Sequence, residues 1–306
     1  MTVRLDLPLA GPAGEPVDLG RTLNSHGFAD LAPMRLDEAA GTLAMTIRVP
    51  RGRPRRVVVG RGRGRHASVE VLGPAGLSPR TRDAILTGVR HALRMDEDLS
   101  RFYAICRSDP DLAWASAGAG RMLRGPTVFE DVVKTICTTN CAWSATVRMV
   151  NALVSGLGDP ATGGEGPLAN AFPTPARMAE APPTFYRETV RAGYRGPYLI
   201  SLARSVTEDG LDLEALGSAT REELPDEELE ARLLALPGVG PYAAAHIMMT
   251  VGRHSRLILD SWTRPKYARL LGRTSVPDAS IRRRFRRFGP EAGLAFWLFV
   301  TRDWVE

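Results

Sequence analysis

Leu236-Pro-Gly-Val-Gly-Pro-Tyr-Ala-Ala-Ala-His246 restricts this chain more than any other stretch. Upstream, Leu229, Leu233 and Leu236 recur at a helical spacing and predict a helix from about Glu227. Pro237-Gly238-Val239-Gly240 stops that helix, and Pro241 suits the first residue of a second, where its missing N–H is unsatisfied in any case. Two helices joined by so short a turn form a helix–hairpin–helix, here spanning 227–251. Gly238 and Gly240 lack a Cβ and let the backbone come close to something, and N–H groups at a helix start favour an anion. A nucleic-acid phosphate fits that description. An ordinary αα-corner, with glycines only reversing the chain, fits the same residues. Asp260, fourteen residues beyond His246, is what tilts the reading toward a site.

The bulk properties are compatible with a polyanionic partner. The net charge is +6 and the pI about 9.6, although charge alone says nothing about fold. Lysine occurs only at Lys134 and Lys266; the other basic residues are arginines. Three cysteines, Cys106, Cys137 and Cys141, make neither a disulfide framework nor a four-cysteine metal site, and read as buried thiols. The N-terminus has no charged-then-apolar leader pattern, and no apolar run reaches the roughly 18 residues of a membrane span. A soluble, cytoplasmic protein is expected.

Residues 1–80 alternate in short stretches, Leu5 to Leu7, Leu43 to Val49, Val57 to Val59 and Val69 to Val71, punctuated by Gly and Pro. This predicts an antiparallel sheet. Arg51 to Arg65 reads as one basic hairpin tip, solvated or touching phosphate. From Pro79 the period changes to helical. Thr127-Val-Phe-Glu130 is a capping-box pattern opening a core helix that ends near Thr138-Thr139-Asn140. Further helices are expected over 143–154, 184–192, 198–206 and 266–271, around Ile281, Phe285 and Phe288, and over the apolar run 292–300. The fold class is therefore α+β: an N-terminal antiparallel β domain (1–80) followed by a larger all-α body (81–306).

The apolar run Leu257-Ile258-Leu259 delivers Asp260 to Ser261-Trp262-Thr263. An aspartate before a helix start is a standard N-cap, and that role alone would account for it. The helix field and amide hydrogen bonds also favour the ionised carboxylate. Next to a phosphate-gripping hairpin, that anion would face a nucleotide sugar. It could stabilise charge developing at C1′ as a glycosidic bond breaks, as carboxylates do in glycoside hydrolysis. Pro265 falls inside the first turns and predicts a late or distorted start to this helix.

At these residues the chain resembles the helix–hairpin–helix DNA glycosylase superfamily. Leu236 to Gly240 and Asp260 match its hairpin and its Gly/Pro-flanked catalytic Asp in order and spacing. Asp18 to Phe28, Arg121-Met-Leu-Arg124, Ile136-Cys-Thr-Thr-Asn140 and Gly193-Tyr-Arg-Gly-Pro-Tyr198 resemble the 8-oxoguanine glycosylases, so the likeness runs through nearly the whole chain. Together with the N-terminal β domain, they place it near the branch that also holds the bacterial alkylpurine glycosylases.

The resemblance implies an enzyme of base excision repair that flips a damaged base out of double-stranded DNA. It implies Asp260 as the catalytic carboxylate, and Gly238, Val239 and Gly240 as the strand-gripping backbone. Asn140 would fill the vacated space, Tyr194 would be a wedge on the opposite strand, and Arg195 would donate to the orphaned base. The carbonyls of Leu234, Leu236 and Val239 would hold a monovalent cation, Na+ or K+. The cysteine count excludes the iron–sulfur cluster of some branches, and no other cofactor is expected. A monomer at the bacterial nucleoid is expected.

Two departures shape the expected chemistry. Bifunctional members carry a lysine two residues after the last hairpin glycine; here that position is Tyr242, which implies a monofunctional hydrolase without lyase activity. His26 falls where the 8-oxoguanine enzymes read their base through a glycine. Tyr242, Trp262 and Trp143 are the expected base-pocket aromatics, suited by cation–π attraction to alkylated purines. Tyr242 also allows removal of uracil or thymine from mismatches, 8-oxoguanine stays an alternative, and a non-catalytic damaged-DNA-binding protein is the reading from a different class. His246, one turn beyond Tyr242, reads as a satisfied helix histidine.

Overall fold

The computed structural model describes residues 2–74 and 76–304. Strands β1 (Thr2–Pro8), β2 (Met34–Asp37), β3 (Thr42–Ile47), β4 (Arg55–Arg61) and β5 (His66–Leu72) form one antiparallel sheet in the order β1-β5-β4-β3-β2. The short helix α1 (Leu19–Leu23) lies between β1 and β2. The stretches expected as strands pair as β1, β3, β4 and β5. β2 escaped the sequence reading, because four residues are too few to show a period. The arginine-rich stretch is divided rather than gathered: β4 runs through its middle, so Arg51 and Arg53 sit in one turn and Arg63 and Arg65 in the turn at the other end. The expectation of a single basic tip is corrected accordingly.

Alternation sends Leu43, Met45, Ile47, Val57, Val59, Val69 and Val71 to one buried face. Helix α2 (Pro79–Ala92) covers that face with Ile85, Val89 and Ala92, so the sheet's own core takes in residues beyond 80. Arg121 ties the N-terminal segment to the helical body. Fully buried, it donates to Glu15 Oε1 at 2.6 Å and to the carbonyls of Arg94 and Glu97.

The helices that follow are α3 (Ser100–Arg107), α4 (Val128–Thr138), α5 (Trp143–Leu157), α6 (Pro175–Glu180), α7 (Arg195–Thr207) and α8 (Leu213–Ser218). After them come α9 (Asp226–Leu234), α10 (Pro241–Thr250), α11 (Thr263–Leu270), α12 (Asp278–Phe285) and α13 (Ala292–Thr301). None is long and apolar enough to cross a membrane. Helix α4 begins at the expected cap, with Thr127 accepting from the Glu130 amide at 3.2 Å. The reciprocal half of the capping box is missing. Glu130 pairs instead with Lys134 at 2.6 Å, and Glu214 takes the amides of Val128 and Phe129. Residues 185–189 form one wide turn rather than the longer helix expected.

Helix α10 is buried along nearly its whole length and serves two cores. Ala243, Ala244, Ile247 and Met248 pack with α4, α5, α7 and α9. Ala245 and Met249 pack with α3, α12, α13 and the run Leu257 to Leu259. The hairpin's second helix is thus the wedge between the two halves of the helical body, and Tyr242, at its exposed end, touches both.

Candidate active site

The hairpin forms as the sequence implies. α9 ends at Leu234, the Val239 amide closes a turn onto the Leu236 carbonyl at 3.2 Å, and α10 starts at Pro241. The two glycines serve different needs. Gly238 has φ +78°, and a Cβ there would lie 2.8 Å from the Tyr198 ring. Gly240 is extended (φ −99°, ψ −176°), exposed, and open on its Cβ side with nothing within 4 Å. Nothing among the described residues requires glycine at 240. Its bare α-carbon leaves room for a group from outside, at the first turn of a helix whose leading amides are unpaired.

Asp260 caps the start of α11. Its Oδ1 accepts from the amides of Trp262 at 2.8 Å and Thr263 at 2.6 Å. Thr263 returns the contact: its Oγ1 accepts from the Asp260 amide at 2.9 Å and donates to the Ile258 carbonyl at 2.8 Å. The helix proper begins only at Thr263, which leaves Pro265 in its first turn, where no intrahelical N–H is lost. Oδ2 accepts no hydrogen bond among the described residues, so one oxygen is anchored and the other is presented. The negative charge reaches Tyr242, whose hydroxyl pKa is pushed up first by burial and further by Asp260. That hydroxyl lies 3.4 Å from Thr138 Oγ1 on α4.

The three expected pocket aromatics are not in contact with one another. Tyr242 leans on His246 (ring centroids 6.0 Å apart), which meets Phe28 at 5.2 Å and His26 at 5.5 Å. Trp143 lies against Gly27, where a Cβ would stand 2.8 Å from its ring. Trp262 belongs to a third group, 6.0 Å from Trp297 and 5.4 Å from Trp304, and Trp297 Nε1 donates to the Ser25 carbonyl at 2.8 Å. What unites them is residues 25–28, touched by all three groups. Phe28, Trp297 and Trp304 escaped the sequence reading. Trp297 is hidden in a run apolar all round, which signals only burial.

The two histidines differ. His26 is satisfied: its Nε2 donates to the Leu123 carbonyl at 2.5 Å, and Nδ1 accepts from the Phe28 amide at 3.4 Å. His246 is buried with neither ring nitrogen hydrogen-bonded among the described residues, which corrects the expectation of a satisfied helix histidine. Burial holds both rings neutral, pushing His26 down to about 3 and His246 to about 4.

Asn140 and Tyr194 meet at the surface, Asn140 Nδ2 lying 3.4 Å from the Tyr194 hydroxyl. Asn140 holds φ +46°, a left-handed conformation that asparagine tolerates better than most residues. Tyr194 is half exposed and stands edge-on to Tyr198, which covers Gly238, so this patch continues into the hairpin. Arg195 is placed otherwise than expected. It is buried, with its guanidinium bonded to the carbonyl and hydroxyl of Thr139. There its Nε and Nη2 fix the turn that carries Asn140.

No family model matches the chain. A curated relative, the N-glycosylase/DNA lyase of Saccharomyces cerevisiae, is 25% identical over 169 residues, 53% of this chain. The match spans 45% of that protein, less than half its length. Among solved structures, the 3-methyladenine DNA glycosylase of Archaeoglobus fulgidus superposes with a TM-score of 0.72 over 99% of both chains, at 20% identity. The chain has the helix–hairpin–helix DNA glycosylase fold. The 8-oxoguanine glycosylase/lyase of Clostridium acetobutylicum, bound to duplex DNA with cytosine opposite 8-oxoguanine, superposes at 0.65. That match covers 91% of this chain and 92% of the other, at 19% identity.

The side-chain amines lie in ion pairs. Both lysines are ion-paired away from the hairpin: Lys134 is fully buried on Glu130, and Lys266 holds Asp303. Of the three hairpin carbonyls named for a cation, Leu236 accepts the Val239 amide, while Leu234 and Val239 accept no backbone amide among the described residues.

Proposed function

We propose that this chain is a DNA glycosylase of base excision repair that acts as a monomer on duplex DNA and hydrolyses the N-glycosidic bond of a damaged, alkylated purine without cleaving the strand. The observation that carries the reading is Asp260, with one oxygen held by two amides and the other free, at a helix start next to Tyr242. In the reaction, the amides at Gly240 and the start of α10 grip a backbone phosphate, and Asn140 and Tyr194 occupy the gap left by the flipped nucleotide. As the bond to the base lengthens, positive charge grows at C1′ and O4′ of the sugar. The ionised Asp260 stabilises that charge and orients the water that attacks C1′. Its fixed Oδ1 removes the need to reorganise during the step.

The lesion class follows from the aromatic groups. Trp262 and Trp304 are partly exposed and meet one another and Trp297, an electron-rich surface that attracts a cationic purine. The absence of lyase chemistry follows from the amines, since Schiff-base formation needs an unpaired amine at the sugar and position 242 is a tyrosine. A monovalent cation on the carbonyls of Leu234, Leu236 and Val239 would add positive charge beside the phosphate; two of the three carry no backbone hydrogen bond among the described residues.

Incubating the protein with duplexes that each hold one modified base, then treating with alkali, tests this. Release of 3-methyladenine or 7-methylguanine is expected, with strand breaks only after alkali and no adduct on borohydride treatment. Release confined to 8-oxoguanine, or a covalent adduct, would contradict the reading.

A further inference from the structure

One cavity has no residue of the Asp260 site in its walls. About 490 Å³ of space lies at the far end of α4, among Thr46, Arg48, Phe129, Glu130, Phe172 and Leu213. Eleven residues of helix, roughly 16 Å, separate it from the Asn140 turn. Its walls are mostly apolar. Most of its polar groups already have partners. Arg48 donates to Asp159 at 2.6 Å and to the Phe172 carbonyl at 2.7 Å. Glu214 caps α4 with both oxygens, and Asp212 caps α8.

Two acceptors are left over. Thr46 stands on the face of β3 opposite Met45 and Ile47, 1% exposed, and its hydroxyl has no hydrogen-bond partner among the described residues. Glu130 is 2% exposed; its Oε1 takes Lys134, and its Oε2 has no hydrogen bond among the described residues. A buried polar group without a partner, as the Thr46 hydroxyl is, is costly, and the usual remedy is a ligand or water. Burial pushes the Glu130 carboxyl upward even with Lys134 beside it, so its negative charge is undercompensated. Among the described residues three carboxylates line the cavity, and the lining cation Arg48 is already paired, so an anion is disfavoured.

We propose that this cavity binds a small amine, its apolar body against Phe129 and Phe172 and its ammonium group donating to Thr46 and Glu130. The site does not depend on the proposed glycosylase chemistry.

Calorimetric titration of the full chain with 2-phenylethylamine tests it, with 2-phenylethanol and phenylacetate as neutral and anionic counterparts. The amine should bind with a Kd of about 1 mM or tighter, ordinary for a ligand of that size. The alcohol should bind at least about fivefold more weakly, as expected when a charge-assisted hydrogen bond is lost, and phenylacetate should give no heat of binding. Thr46→Val, which keeps the shape and removes the hydroxyl, should weaken the amine by about 2- to 10-fold. Val206→Phe, which fills the cavity, should weaken it by about tenfold or more. Asp260→Asn should bind the amine as the parent does, which separates this cavity from the Asp260 site. Equal binding of phenylacetate, amine binding untouched by Val206→Phe, loss of binding in Asp260→Asn, or no amine binding to the folded protein would each overturn the proposal.

Discussion

The two hairpin glycines should fail in different ways when replaced by alanine. At Gly240 the backbone is extended and a methyl group would meet nothing within 4 Å. Losing glycine's advantage over alanine as an N-cap and gaining a stiffer unfolded chain each amount to less than about 1 kcal/mol, with opposite signs. Gly240→Ala should therefore melt within about 1–2 °C of the parent. At Gly238 the left-handed backbone alone costs an alanine about 1–2 kcal/mol. The 2.8 Å approach to Tyr198 adds to that cost. A total of roughly 2–4 kcal/mol lowers the Tm of a chain this size by about 3–6 °C. Binding should rank the other way. A methyl group on the Gly240 α-carbon occupies the space assigned to a phosphate. Losing one amide-to-phosphate hydrogen bond, about 1.5–3 kcal/mol, weakens duplex binding by roughly tenfold or more. Fluorescence anisotropy on a duplex with a stable abasic analogue, run beside calorimetry, reads both effects. Unchanged duplex affinity in a normally folded Gly240→Ala protein would refute the placement of phosphate at this hairpin.

Two further outcomes follow from buried charge. His246, His26 and His91 are pushed down from 6.5 to about 4, 3 and 4, chiefly by burial. Below pH 6.5 the folded state then binds fewer protons than the unfolded, so stability falls as pH drops from about 6.5 toward 3. His246→Leu removes one of the three and should flatten that decline between pH 6.5 and 4; an unaltered slope in acid-unfolding curves would show that His246 is not buried neutral. Lys134→Met leaves the buried Glu130 carboxylate without its partner and should cost roughly 3–5 kcal/mol by urea unfolding. Adding Glu130→Leu should restore most of it, and a double variant as unstable as the single one would contradict the pairing.

The sequence shows the architecture through its periods. Alternation gives four of the five strands, and the proline–glycine run marks the start of α10 to the residue and the end of α9 to within two. Asp260 is legible because an N-cap is a local event, decided by a carboxylate and the two amides that follow it. What escaped the reading depends on contacts distant in sequence. Arg195 is expected as a donor to the orphaned base, and only the fold brings Thr139 to it, 56 positions away. His246 looks like any helix histidine until the His26 and Phe28 rings close around it. Trp297 has no polar neighbours in sequence, yet its indole N–H reaches Ser25 across 272 positions. The second half of the capping box failed for the same reason, because Glu130 found Lys134 and a distant glutamate took the helix amides.

The central claim is that Asp260 breaks the bond between base and sugar. Single-turnover release of 3-methyladenine from a duplex, by the parent and by Asp260→Asn, tests it most directly, with duplex affinity measured on the same preparations. The Asp260→Asn protein should keep the parent's affinity and release base about a hundredfold more slowly or worse, the scale of a lost electrostatic contact in the transition state. Equal rates from the two proteins would remove Asp260 from the chemistry.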